Sequence, residues 1–203
     1  MTPAELEELA ARTARELYSP VPAAREAALE ELEALYVTLA DGSWVTMPEV
    51  ARAALFHAKR ALVDPQPAVR VSGARAIELF ACDLPECVAE LRDALTDPVP
   101  MVRLAALEAL CEFGPAAALA APQAAERLVH GDDIDERAAA ADVLGNTDTA
   151  MNSVDALVNA LLNDAPPVQA SAAHALGRGL ESEIEATRLR VSKALERLAR
   201  SGT

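Results

Sequence analysis

The apolar positions of this chain recur in helical phase, and the phase is reset at regularly spaced breaks. The clearest break lies between Leu95 and Leu110, at Asp97-Pro98-Val99-Pro100. Asp97 and Pro98 stop one helix, because proline lacks the N–H and pushes the residue before it out of helical geometry. Pro100 fits the first turn of the next helix, where a missing N–H costs nothing. Val102, Ala105, Ala106, Ala109 and Leu110 then share one apolar face. The same pattern runs from Leu17 through Arg25 to Leu32, from Leu62 through Arg70 to Ile77, from Leu128 through Arg137 to Leu144, and from Leu162 through Gln169 to Leu176. In every copy the Arg or Gln precedes the last-named apolar residue by seven positions, and successive copies are offset by 45, 33, 34 and 32 residues. Periods of this size carrying a helix-turn-helix unit predict an α-solenoid.

The pattern predicts about eleven helices. The first starts at a capping box (Thr2, Pro3, Glu5) and runs to about Tyr18. The others fall near 22–40, 48–63, 67–81, 85–96, 100–113, 115–130, 133–144, 149–163 and 167–180. Pro122 should kink the 115–130 helix or delay its start. Repeats are placed at 3–40, 48–81, 84–114, 115–146 and 149–180, forming one domain over 1–203. The last helix, 181–200, carries a stripe of Ile184, Val191, Leu195 and Leu198 with charges elsewhere, as a solenoid's terminal cap requires. Asp41 to Pro48 is the one insertion, and insertions in repeat arrays map to loops on one face. Copy four has Gly131-Asp-Asp for Asp-Pro and one extra residue. Copy five lacks a turn residue and has Gln169 for arginine, so both turns should differ from the rest.

The recurring Asp-Pro-x-Pro-x-Val-Arg-x-x-Ala-x-x-Ala-Leu resembles HEAT repeats, in particular the short bacterial HEAT-like repeats also found in phycobilin lyases. The resemblance covers about residues 3 to 180. It implies an all-α fold, a right-handed solenoid of about five helix pairs plus a capping helix. It also implies that the second helix of each repeat lines the concave side.

Composition narrows the picture. Hydrophobic residues make up 52% but aromatics only 3%, so the core is built from Ala, Leu and Val, which suits close helix packing. The net charge of −14 opposes phosphate-rich partners and anionic membrane. No run of 18 uncharged apolar residues occurs, and the start has no basic, apolar leader pattern. Three cysteines without secretory context, Cys82, Cys87 and Cys111, read as reduced thiols, so a cytoplasmic location is expected.

Candidate chemistry is sparse. Asp64 with Arg70, Asp97 with Arg103, and Asp132 or Asp133 with Arg137 recur in the turns. A structural role is expected, each Asp capping the second helix and accepting from an arginine of its own or the next repeat. His57, His130 and His174 fall in different repeats. Cys82 and Cys87 would need two more ligands to hold zinc, with only His57 and Cys111 remotely available. No serine sits in a nucleophile elbow, and no glycine-rich phosphate loop is present. No catalytic residue, metal or cofactor is therefore expected, and the chain reads as non-enzymatic.

The expectation is a protein–protein interaction module, a scaffold, adaptor or immunity-type inhibitor, that binds a basic protein partner. A bilin-lyase-like enzyme or ligand-binding protein is the alternative, and nucleic-acid binding is disfavoured by charge. Counting five residues beyond the repeat arginine places Glu30, Arg75, Glu108, Asp142 and His174 on the concave face. Glu26, Glu33, Glu78, Glu112, Asn146 and Arg178 are their neighbours. Trp44, the lone tryptophan, lies in the insertion and is either a binding hot spot or a plug for the longer repeat.

Overall fold

The computed structural model describes residues 8, 12–13, 16–17, 19–39, 48–78, 87–147, 153–182 and 185–201. Regular structure among them is helical throughout. Among the described residues, ten α-helices with both ends placed follow in order: α1 (Pro22–Leu39), α2 (Pro48–Ala61), α3 (Pro67–Glu78), α4 (Val88–Ala94), α5 (Pro100–Glu112), α6 (Ala121–His130), α7 (Ile134–Asn146), α8 (Val154–Asn163), α9 (Pro166–Glu181) and α10 (Glu185–Ser201). A 3₁₀ helix, Gly114–Ala120, precedes α6. The predicted first helix, the insertion with Trp44, and Cys82 fall largely or wholly outside the described residues.

The second helices α1, α3, α5, α7 and α9 pack side by side in chain order and form one layer. Their partners α2, α4, α6 and α8 pair with α3, α5, α7 and α9 respectively. The predicted stripe of α5 is buried throughout: Val102, Ala105, Ala106, Ala109 and Leu110 are all in the core. Small residues let the helices approach closely. A methyl group added at Gly145 of α7 would come within 2.7 Å of the Ala175 Cα of α9. Helix α10 lies over both α8 and α9, with Val191 fully buried in that junction. This is the placement expected of a cap.

Helix ends follow local chemistry. Pro100 opens α5, and Gly114 just beyond its C-cap, Phe113, takes φ +51°, the left-handed conformation that ends a helix at little cost for glycine. Pro122 does not kink a long helix. It sits in the first turn of α6, so the expected 115–130 helix is split into a 3₁₀ segment and a late-starting α-helix.

The turn aspartates are ion-paired, but across repeats in one direction. Arg25 reaches forward to Asp64 with two hydrogen bonds of 2.8 Å. Arg70 reaches Asp97 at 2.7 and 2.9 Å, and Arg137 reaches Asp164. Each carboxylate thus accepts from the preceding repeat, not from its own or the next. The arginine of the same repeat donates instead to a turn carbonyl: Arg70 to Asp64 O and Arg103 to Asp97 O. Asp64 and Asp97 do not cap a helix. They accept from Gln66 N and Val99 N, two residues on, and so close the turn. Asp133 is a genuine N-cap, accepting from Asp135 N and Glu136 N. Copy four has no aspartate at the ladder position, and Glu136 of α7 takes its place. Arg103 donates to its two oxygens at 2.7 and 2.8 Å. Asp132 stays exposed and makes no such pair.

Candidate functional site

The helical phase that buries one stripe of each second helix turns the opposite stripe outward. On α5 that stripe is Leu104, Glu108, Cys111 and Glu112. On α7 it is Asp135, Ala138, Ala139 and Asp142. With Glu78 at the end of α3 they line a single groove of about 500 Å³ across the second-helix layer. Five carboxylates from three helices surround a partly apolar floor. Glu108 and Glu112 are exposed, and Glu78 and Asp142 are half-buried.

The carboxylates sense one another. Burial holds the Glu78 carboxyl above its usual range, and Glu112 and Glu108 push it further up against the pull of Arg75. The Cys111 thiol is pushed up to about 12, first by burial and then by Asp142, Glu112, Glu108 and Glu78. Such a thiol is protonated at neutral pH and is no nucleophile. Its sulfur lies 3.8 Å from Ala139 O. The groove's far lip is tied down by hydrogen bonds. Ser171 Oγ donates to Asp142 (3.1 Å), Asn146 Nδ2 to Cys111 O (3.1 Å), and Arg178 to Asn146 Oδ1 (2.6 Å).

The structure thus brings together four of the sequence-derived residues, Glu78, Glu108, Glu112 and Asp142. Arg75 stands exposed one turn before Glu78, and Arg178 reaches the lip through Asn146. Glu30 on α1 and His174 on α9 are exposed but do not line the groove. The side chain of Glu33, like Trp44, lies outside the described residues. Asp135 was missed by counting forward from the repeat arginine. It precedes Asp142 by seven, so extending the same stripe back two turns finds it. Glu136 was missed as the ion-pair partner of Arg103. The signal was the loss of the aspartate in copy four.

Among the described residues no group of three His, Cys, Asp or Glu is placed to hold a metal ion. His57 packs edge-on against Phe56 (ring centroids 5.4 Å apart) and lines a separate cavity with Leu17, Arg25 and Asp64. Burial and then Arg60 lower its pKa. No helix of the described residues is long and apolar enough to cross a membrane.

Residues 54–121 match the family model described as HEAT repeats. A search of the curated proteins finds no match. Among solved structures, the chain is similar to an engineered protein at TM-score 0.70 and 23% identity, covering 98% of this chain and 90% of that one. A designed armadillo repeat protein in complex with the peptide (KR)4 aligns at TM-score 0.70 and 18% identity, over 92% of this chain and 87% of that one. Another designed armadillo repeat protein aligns at TM-score 0.62 and 17% identity, over 91% and 98%. At these identities the likeness is one of fold. The family match is to HEAT repeats in general and does not single out the phycobilin-lyase type. Repeat phase, layered helix pairs and structural likeness agree that the chain is an all-α solenoid, and its residues 54–121 match HEAT repeats.

Proposed function

We propose that this protein is a non-enzymatic protein-binding module whose second-helix groove takes a basic segment of a protein partner. The observation that carries the reading is the convergence of Glu78, Glu108, Glu112, Asp135 and Asp142 on one groove. A concave wall of like charge over a low-dielectric floor focuses its field and raises the encounter rate with a cationic segment. The floor of Leu104, Ala138 and Ala139 offers apolar contact to the methylene stems of Lys and Arg. A solved neighbour of this fold binds an alternating Lys-Arg peptide, which is the same ligand chemistry.

The test uses that peptide. Labelled (KR)4 titrated into the full chain should bind saturably at low salt and weaken steeply as salt is added. Charge reversal at Glu108 and Glu112, both exposed, should weaken binding at least tenfold with little change in the urea melt. Asp142 is a poorer choice for reversal, because it is half-buried and accepts from Ser171. Unchanged affinity in the Glu108→Lys/Glu112→Lys variant would show that the groove is not the site.

A further inference from the structure

The same chain also carries a face of opposite charge. Helix α10 holds five cations against two acids, within a protein of net charge −14. Two of the five are occupied internally: Arg188 donates to Ser182 O, and Arg200 lies 3.6 Å from Glu196. The other three, Arg190, Lys193 and Arg197, line a groove of about 310 Å³ between α8 and α10, together with Asp155 and Leu189. Leu189 is 52% exposed. Among the described residues none of those three cations makes an ion pair, although carboxylates outnumber cations in the chain almost two to one.

We propose that this basic face of α10 docks into the acidic groove of a second copy of the same chain. The inference rests on reading that groove as a site for cationic side chains. Charge complementarity selects the occupant. The cations follow i, i+3, i+7, so they share one helix face, and Arg190 to Arg197 spans about 10 Å at 1.5 Å per residue. Neighbouring helices such as α5 and α7 lie roughly 8–10 Å apart, so the outer cations match carboxylates on adjacent helices. Exposed Leu189 has an apolar counterpart in the floor of Leu104, Ala138 and Ala139. The two faces cannot meet within one molecule. The groove is built on α3, α5 and α7, whereas α10 is pinned over α8 and α9, with Val191 and Thr187 buried. The contact is therefore head-to-tail between copies, and each copy keeps one unused face for the next. A polyanion is the weaker occupant, since the rest of this chain repels it.

Sedimentation velocity of the full chain over a concentration series tests the proposal. At low salt the weight-average mass should rise with concentration, and high salt should return the monomer. Lys193→Glu/Arg197→Glu should abolish association yet bind (KR)4 as well as the parent chain. Glu108→Lys/Glu112→Lys should abolish both. Mixing the charge-neutral variants Lys193→Gln/Arg197→Gln and Glu108→Gln/Glu112→Gln should give a 1:1 dimer and nothing larger, because only one of the two joints is intact. A parent chain that stays monomeric at all concentrations at low salt would overturn the proposal, and (KR)4 binding then still stands or falls separately. Association that survives Lys193→Glu/Arg197→Glu would overturn it too. So would a monomeric parent chain that retains a labelled oligonucleotide through Lys193 and Arg197, which would assign the face to polyanions.

Discussion

At the scale of the residue, the Arg–carboxylate ladder varies in depth. Its most buried rung is Arg103 with Glu136, whose side chains are 8% and 1% exposed. Removing one member of such a pair leaves an uncompensated buried charge, which costs far more than the pair contributes. Arg103→Ala should therefore destabilise the protein by about 3 kcal/mol, the low end for buried pairs. Arg127, at 3.8 Å from Glu136, compensates in part. Urea denaturation would check this, and an unchanged midpoint would mean that the pair is not buried in solution. Sequence reasoning placed the arginines of the ladder correctly but mispaired them. An arginine side chain spans the gap to a neighbouring repeat as easily as the turn of its own, and only the stacking of the repeats decides between the two.

At the scale of the element, the helices begin and end where proline and glycine require. Proline acts within its own residue and the one before, so these boundaries need no tertiary information. The split at Pro122 shows the limit. The sequence allowed a kink or a late start, and the 3₁₀ segment Gly114–Ala120 took the second. Close helix approach is a property of two elements at once. Gly145 in α7 meets Ala175 in α9 with no room for a methyl group. Gly145→Ala removes the entropic penalty of glycine in a helix, which on an isolated helix would be favourable by roughly 0.5–1 kcal/mol. Here overpacking dominates, and a net loss of about 1–3 kcal/mol is expected. A thermal melt that rises on Gly145→Ala would show that α7 and α9 can separate freely.

At the scale of the whole molecule, charge couples the groove to pH. Arg137 donates to Asp164 and holds its pKa below the usual carboxylate value, with further help from Ala165 N. A carboxylate shifted down stabilises the fold above its unfolded pKa, about 3.9 for Asp, and that contribution is lost only as pH falls through the folded value. Asp64 is opposed by burial, but Arg25 and Gln66 N bring it down on balance, so it behaves in the same way. Glu78 has the opposite sign. Burial and its acidic neighbours raise its pKa, so the folded state takes up a proton first and gains stability as pH falls through that folded value. Acidification from neutral pH should therefore weaken (KR)4 binding several-fold before it lowers the melting temperature. Melting and affinity that decline together would contradict the assignment of Glu78 to the groove.

The sequence alone determined the repeat, the helix-turn-helix unit, the breaks between helices and the alternation of buried and exposed stripes. All of these are set by residues within one or two turns of each other, where proline, glycine and 3.6-residue periodicity act directly. Phase also selected the outward residues, which is why Glu78, Glu108, Glu112 and Asp142 were legible before any coordinates. The tertiary structure decided which of them meet. Glu30 and His174 obey the same register count yet lie outside the groove, because facing outward says nothing about which neighbouring helices converge. The forward direction of the arginine ladder, the substitution of Glu136 for the missing aspartate, and the separation of the acidic groove from the basic face of α10 were likewise decided by packing. Each depends on distances between residues 27 or more positions apart in the chain, which local periodicity does not specify.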